Sequence, residues 1–305
     1  MFYELSKNHV VACIPYYRCQ KYIRRAVDSL LAQTHQALTV VVVNDADFDT
    51  PPWPELADID DPRLIRFDLL SNRGLYFANA IVSRATKAPF FLVQDADDWS
   101  HPERVERLLK IIQEENSDIA VCKEVQFQED ILGGIKVMET RYQYRAPFAK
   151  KANNEHLEYF TTQLDNSYYF RLGHHALFRS GILNTVGGYY AGLRQHFDTL
   201  LINLLLMVGR VSHIKEPLYW RLHWPGALTK HPDTRFGTEV SRNAMKQGER
   251  LYMQAYSQYR DFLAGRIKSQ DFCESLRAIC NSNISLGNQL AYAEEEKRFR
   301  DILLR

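Results

Sequence analysis

Short runs of apolar, mostly β-branched residues alternate with stripes of helical spacing in the first part of this chain. That alternation constrains the fold more than any other feature. VVACI (Val10–Ile14), LTVVVVND (Leu38–Asp45) and FFLVQ (Phe90–Gln94) are strand-like, as are RLIRF and DIAVCKEVQF. A strand that is apolar at successive positions must be covered on both faces, which is the habit of parallel sheets. Between these runs Ile23, Ala26, Val27, Leu30 and Leu31 trace one helix face. LYFANAIVSRAT and PERVERLLKIIQEEN read as two more helices, the second with Pro102 near its first turn. Strands alternating with helices predict an α/β fold with a mostly parallel sheet flanked by helices. In such sheets ligands bind beyond the carboxyl ends of the strands, where this sequence places Asp45, Asp47 and the acids of Asp95–Asp98.

Past Gln128 the pattern changes. GGIKVMETRYQYR reads as a hairpin, HALFRS as a short strand, Asp198–Val208 as a helix, and VSHI and LYWRLHW as two strands. From Thr238 onward Met245, Tyr252, Tyr256, Tyr259 and Phe262 recur at helical spacing, and Phe272, Leu276, Ile279, Asn283, Leu286 and Leu290 do so again. The expected organisation is a catalytic-type α/β domain over residues 1–237 and a helical extension over 238–305. The extension would pack on the main domain or join two copies into a homo-oligomer.

Bulk properties narrow the class. The formal net charge of the 305 residues is +1, which argues against nucleic acid as a partner. The five cysteines are scattered, with no zinc-ligand spacing, and fit a reducing compartment. No signal-peptide pattern opens the chain, and TLLINLLLMVG falls far short of the ~20 apolar residues a spanning helix needs. The expectation is a cytoplasmic protein without a transmembrane segment, with peripheral contact to the inner membrane face left open.

The cluster in QDADDW (Gln94–Trp99) carries the chemistry. Three carboxylates at the end of an apolar strand repel one another unless a cation compensates. One alternative is an acidic turn capping the helix near Pro102. Another is a phosphatase-like nucleophile, which would want Thr or Val where Trp99 stands and the motif on the first strand. The third is a clamp for a divalent cation bearing a nucleotide diphosphate, where the metal offsets leaving-group charge.

Five segments in order extend the third alternative. VVACIPYYRCQKYIRRAVDSLLAQTHQALTVVVVNDADFD, NRGLYFANAI, QDADDWSHPERVERL, VGGYYAGLRQHFDTLLINLLLMVGRV and EPLYWRLHWPGALT together span about Val10 to Thr229. In this order they resemble the family 2 glycosyltransferases, whose fold is GT-A, a Rossmann-like α/β architecture. The resemblance implies a metal-dependent, inverting transfer of one sugar from a nucleoside diphosphate donor (UDP by default) to a hydroxyl. The acceptor would be a saccharide, lipid-linked or free, or a small molecule. Carried over by position, Pro15, Tyr17, Asp45 and Asn72 would border the nucleotide and Asp95 would meet the ribose. Asp97 and His223 would face Mn²⁺ or Mg²⁺. Asp198 would be the general base. Trp99, Gly187, Gly188 and His196 would line the donor-sugar and acceptor side.

Two departures stand out. Phe197 precedes Asp198 where the family usually has Glu, and Asn79-Ala80 replaces its Arg-Asn. The first motivates a rival reading, a non-catalytic sugar-nucleotide-binding or scaffolding relative. His174 and His175, before a strand, could line the acceptor pocket, but a surface pair is the preferred reading. A nucleotidyltransferase would want a glycine-rich phosphate loop, absent from CIPYYRC, and the order of YWRLHW does not match a processive synthase.

Overall fold

A computed structural model describes residues 6–130, 132–142, 149–151, 157–160, 164–190, 192–232 and 234–304. The first half runs β1 (Val10–Tyr16), α1 (Gln20–Leu31), β2 (Leu38–Asn44), β3 (Leu64–Asp68), α2 (Leu75–Ala85), β4 (Phe90–Val93), β5 (Trp99–Ser100), α3 (Arg104–Glu114) and β6 (Ile119–Glu129). There follow β7 (Ile135–Tyr142), β8 (Ala149–Lys151), β9 (Leu157–Phe160), β10 (Leu177–Arg179), α4 (Ser180–Thr185), α5 (Phe197–Val208) and β11 (Val211–His223). The chain ends in α6 (Glu239–Leu263), α7 (Ser269–Ser282) and α8 (Leu286–Leu303).

One sheet runs β3-β2-β1-β4-β10-β6-β11-β9-β8, with β5 and β7 paired to β11 and β6 at its side. β3, β2, β1 and β4 are mutually parallel, as are β6 and β11. The expected α/β architecture is therefore present. β1 and β4 are buried at every position, matching their uniformly apolar sequences.

Two features differ from the sequence expectations. β10 enters antiparallel between β4 and β6, which no local pattern announces. VSHI and LYWRLHW form one strand, β11, whose register shifts around Pro217 let it continue past a residue without an N–H.

The two faces of the sheet carry separate cores. α1 and α3 cover one, with Ile23, Val27, Leu30, Leu108 and Ile112 fully buried. The other is larger. It joins Phe77 and Ile81 of α2 and Leu200 and Leu204 of α5 to Tyr252 of α6, Phe272 and Leu276 of α7 and Phe299 of α8. The three C-terminal helices thus share the sheet's own core. Thr238, whose hydroxyl accepts the Ser241 N–H, caps α6.

Candidate active site

The carboxyl ends of β1, β2 and β4 come together with the start of β10 and the first turn of α5. At β2 the Asp45 carboxylate accepts the N–H groups of Arg73 (2.6 Å) and Gly74 (2.7 Å), and its carbonyl accepts from Asn72 (3.1 Å). Burial raises the Asp45 carboxyl to about 6, against the opposing pull of those two N–H groups. Asn72 also meets the Arg194 guanidinium. Pro15 is buried in β1, while Tyr17 just beyond it is exposed, with the Arg18 guanidinium 5.1 Å from its ring. Asp45 and Asn72 are thus joined beyond β2, and Pro15 and Tyr17 lie at the end of the neighbouring β1.

The acids after β4 are not equivalent. Asp98 does not cap α3, whose N-cap is Glu103. Its two oxygens accept the Tyr219 hydroxyl (2.6 Å) and the Leu222 N–H (2.7 Å), fastening the turn to β11. Burial, with Asp97 and Asp95 nearby, pushes its carboxyl well up. Asp97 Oδ2 accepts the Trp224 indole N–H at 2.6 Å, and burial plus the Asp95 charge raise this carboxyl to about 6. Asp95 Oδ2 meets His175 Nε2 at 2.8 Å, and Asp95 Oδ1 lies 3.8 Å from His174 Nε2. Burial raises the Asp95 carboxyl, but the two imidazoles more than offset this and hold it well below its usual range.

Ligand atoms of Asp95, Asp97 and Asp98 lie within 4.8 Å of one another, as do those of Asp95, His174 and His175. The residues fit a divalent cation. Asp97 spends one oxygen on Trp224, and burial together with the Asp95 charge disfavours its ionised form, a penalty that a cation would relieve. One or two carboxylates, with phosphate and water completing the shell, suit Mg²⁺ or Mn²⁺. His223 stands outside both groups. It faces the cavity with Nε2 3.1 Å from Gln126 Oε1.

A cavity of about 1200 Å³, walled by β6, β11, α5 and α6, reaches His174 and His175, while Asp95, Asp97 and Asp98 do not line it. Asp198 lies in its wall, in the first turn of α5, where the helix dipole favours a carboxylate. Asp198 Oδ1 accepts the Tyr76 hydroxyl at 2.9 Å and Oδ2 lies 3.3 Å from His174 Nδ1. Burial raises the Asp198 carboxyl, and the His174 and Tyr76 contacts outweigh it, bringing it to about 2. Burial opposes the His174 imidazolium, yet Asp198 and Asp95 raise it to about 10. His175 goes the other way, to about 3, through burial and the neighbouring His174 charge. Neutral His175 therefore donates Nε2–H to Asp95.

Phe197 is fully buried, its ring 5.5 Å from Tyr76 and 6.3 Å from Tyr189. The residue before Asp198 thus points into the core and supports the tyrosine that holds the carboxylate.

The remaining expected site residues separate. His196 lines the cavity in a left-handed conformation (φ 58°), its Nε2 2.8 Å from Ser241 Oγ. Trp99 packs between Phe127 and Trp220 beneath the Arg25 guanidinium, which lies 3.7 Å from its ring, and does not line the cavity. Gly187 and Gly188 also stand apart from the cavity. A Cβ on Gly187 would lie 3.2 Å from the Cys280 Cβ of α7, so close packing and φ of 100° require glycine there. His174 and His175 correct the surface reading, because both are buried. Continuing the β10–β4 register beyond Leu177↔Leu92 sets His174 opposite Asp95. The only signal in the sequence was a His-His pair directly before a strand.

Comparison with known proteins follows the same outline. A model described as glycosyl transferase family 2 matches residues 11–187. Glycosyltransferase GlyA of Streptococcus pneumoniae is 30% identical over 127 residues, 41% of this chain and 18% of that protein. Succinoglycan biosynthesis protein ExoO of Rhizobium meliloti is 35% identical over 99 residues, 32% of this chain and 28% of that protein. The match thus spans less than a third of either relative's length. The crystal structure of S. aureus TarS 1–349 in complex with UDP-GlcNAc is similar in fold. Its TM-score is 0.60 at 15% identity, covering 96% of this chain and 89% of that one. Among the described residues, no helix is long and apolar enough to cross a membrane.

Proposed function

The chain belongs to glycosyl transferase family 2, and from that premise we propose that it moves one sugar from a nucleoside diphosphate donor to an acceptor hydroxyl with inversion. UDP is the default donor nucleotide, and the acceptor is a saccharide or glycoconjugate. The observation that carries this reading is the Asp198 carboxylate, ionised in the cavity wall and joined through His174 to Asp95. A hydroxyl is a poor nucleophile at neutral pH, so an ionised, fixed carboxylate beside it supplies what the reaction lacks. The acceptor proton passes to Asp198 as the acceptor oxygen bonds to the anomeric carbon. The bond from that carbon to the diphosphate oxygen breaks, its electron pair leaving with the diphosphate.

The rim around Pro15, Tyr17, Asp45 and Asn72 takes the nucleoside. Asp45 shapes it by pinning the backbone of Arg73 and Gly74. Asp95 meets the ribose, and Asp97 would hold Mg²⁺ or Mn²⁺. The ion supplies positive charge to the departing diphosphate when bound. Arg221 and His223, which line the cavity beyond His175, face the phosphates, and His196, braced by Ser241, bounds the acceptor.

A panel of nucleotide sugars assayed for hydrolysis and transfer with Mn²⁺ or Mg²⁺ tests the reading. Asp198→Asn should keep donor affinity and lose transfer. Transfer at the wild-type rate would remove Asp198 as base, and no turnover with any donor would favour a binding protein.

A further inference from the structure

Asp198 hangs from α5 and Asp95 from the end of β4, two elements with no shared turn or strand pairing. His174 is the side chain that spans them. Its Nδ1 lies 3.3 Å from Asp198 Oδ2, and its Nε2 lies 3.8 Å from Asp95 Oδ1 without a hydrogen-bond partner. The imidazole is itself held from behind. The Ala176 N–H bonds the His174 carbonyl at 2.7 Å, so both histidines project from a tight turn before β10.

A column of rings then fixes the pair sideways. The His174 and His175 centroids are 4.2 Å apart, and His175 stacks on Tyr219 at 4.3 Å and 18°. The Arg104 guanidinium lies over the Tyr219 ring, 4.5 Å from its centroid. Every member has its own anchor. Tyr219 donates to Asp98, His175 meets Asp95, and Arg104 donates to the carbonyls of Val93 and His175. Packing of this kind removes rotamer freedom from a side chain before substrate arrives.

We propose that His174 is a positioning residue for transfer, setting the Asp198 carboxylate at a fixed separation from the donor-binding end of β4. This rests on the reading of Asp198 as base. His174 takes no proton from the acceptor and acts only through Asp198. Its Nδ1–H aims one oxygen of Asp198 while the Tyr76 hydroxyl aims the other. With Phe197 turned into the core, the neighbour that supports this carboxylate comes from the turn before β10 rather than from the preceding position on α5.

The test uses the full chain and an active donor from the panel above. His174→Gly should lower kcat about 100-fold, the usual cost of a misplaced catalytic group, while donor KM stays within about twofold. Added imidazole should restore at least about a tenth of the lost rate, because the vacated volume opens on the cavity. It should leave wild type and Asp198→Asn unchanged. A second pair of variants separates the two ring nitrogens. Asn places its amide near the former Nδ1 and Gln near the former Nε2, so His174→Asn should retain more kcat than His174→Gln. The proposal fails if His174→Gly keeps kcat within about threefold of wild type, or folds natively but ignores imidazole. It also fails if Gln outperforms Asn, an ordering that decides the matter should the glycine variant not fold. A fully active Asp198→Asn would instead remove the base reading, whatever the His174 variants do.

Discussion

Replacing Arg104 by methionine tests whether the ring column depends on its buried charge. Arg104 is fully buried. It donates to Gln94 Oε1 (3.0 Å), Ser100 Oγ (2.8 Å), the Val93 carbonyl (3.2 Å) and the His175 carbonyl (3.1 Å). Four bonds from a charged donor are worth roughly 6–12 kcal/mol gross at about 1.5–3 kcal/mol each. Most of that is cancelled by desolvating the guanidinium, whose pKa burial lowers. Methionine keeps the volume, and Ser100 still donates to Gln94 at 2.7 Å. The uncompensated loss is therefore the two carbonyls, at about 1–2 kcal/mol each, or about 2–4 kcal/mol in all. With a urea m-value of about 3 kcal/mol/M for a chain of this size, the midpoint should fall by about 1 M. kcat should fall too, since Tyr219 and the His175 carbonyl lose their backing, and Arg104→Lys should recover part of both. A midpoint within about 0.2 M of wild type, or above it, would refute the reasoning. It would mean that the guanidinium's desolvation cost equals its bonds, as happens when whole buried ion pairs are replaced.

Two further outcomes follow from particular positions. Gly187→Ala should cost about 1–3 kcal/mol in thermal unfolding and leave the KM of the folded enzyme unchanged, since positive φ and the Cys280 contact oppose a side chain there. A raised acceptor KM with an unchanged Tm would return this glycine to the substrate side. His213, fully buried in β11, has its pKa lowered to about 3 by burial and by the charges of Lys123 and Lys215. Its contribution to stability is present above the unfolded value near 6.5 and is lost as pH falls toward 3, because only the unfolded chain takes up the proton. Between pH 7 and 5 wild type should lose about 2 kcal/mol relative to His213→Leu in urea titrations. Parallel stability–pH curves for the two proteins would contradict that account.

What the sequence disclosed was whatever is encoded locally. The uniformly apolar runs at β1, β2 and β4 could only be strands covered on both faces, and the acids beyond them could only lie at the sheet's carboxyl edge. Asp45 and Asp95 were placed by that logic, and Asp198 by the resemblance of the segment around it. Long-range pairing was not legible. β10 is three residues long, and nothing in LFR says that it runs antiparallel beside β4 and delivers His174 to Asp95. VSHI and LYWRLHW read as two strands because the sequence does not show the register shifts around Pro217 that join them. Trp99 and Asp98 were ambiguous for a related reason. A tryptophan beside acids serves a sugar or a core equally well, and only the return of β11 decides that Trp99 meets Trp220 and that Asp98 meets Tyr219.

The same limit applies to the boundary near residue 238. The sequence marks a change of pattern there, but a change of pattern is not a separable unit. Leu251, Tyr252, Tyr259, Phe272, Leu276 and Phe299 are buried against the core that holds Phe77 and Phe197. At about 1.5–3 kcal/mol for each large side chain, their removal costs about 9–18 kcal/mol. That is comparable to the whole stability of an ordinary domain, about 5–15 kcal/mol. Ser241 of α6 also braces His196 at the rim of the cavity, so the loss reaches the site as well as the core. A chain ending at Gly237 should therefore lack a cooperative unfolding transition and aggregate or bind a hydrophobic dye. If it instead remained monomeric, melted cooperatively and bound a nucleoside diphosphate as the full chain does, α6–α8 would be an appendage and the shared core energetically redundant.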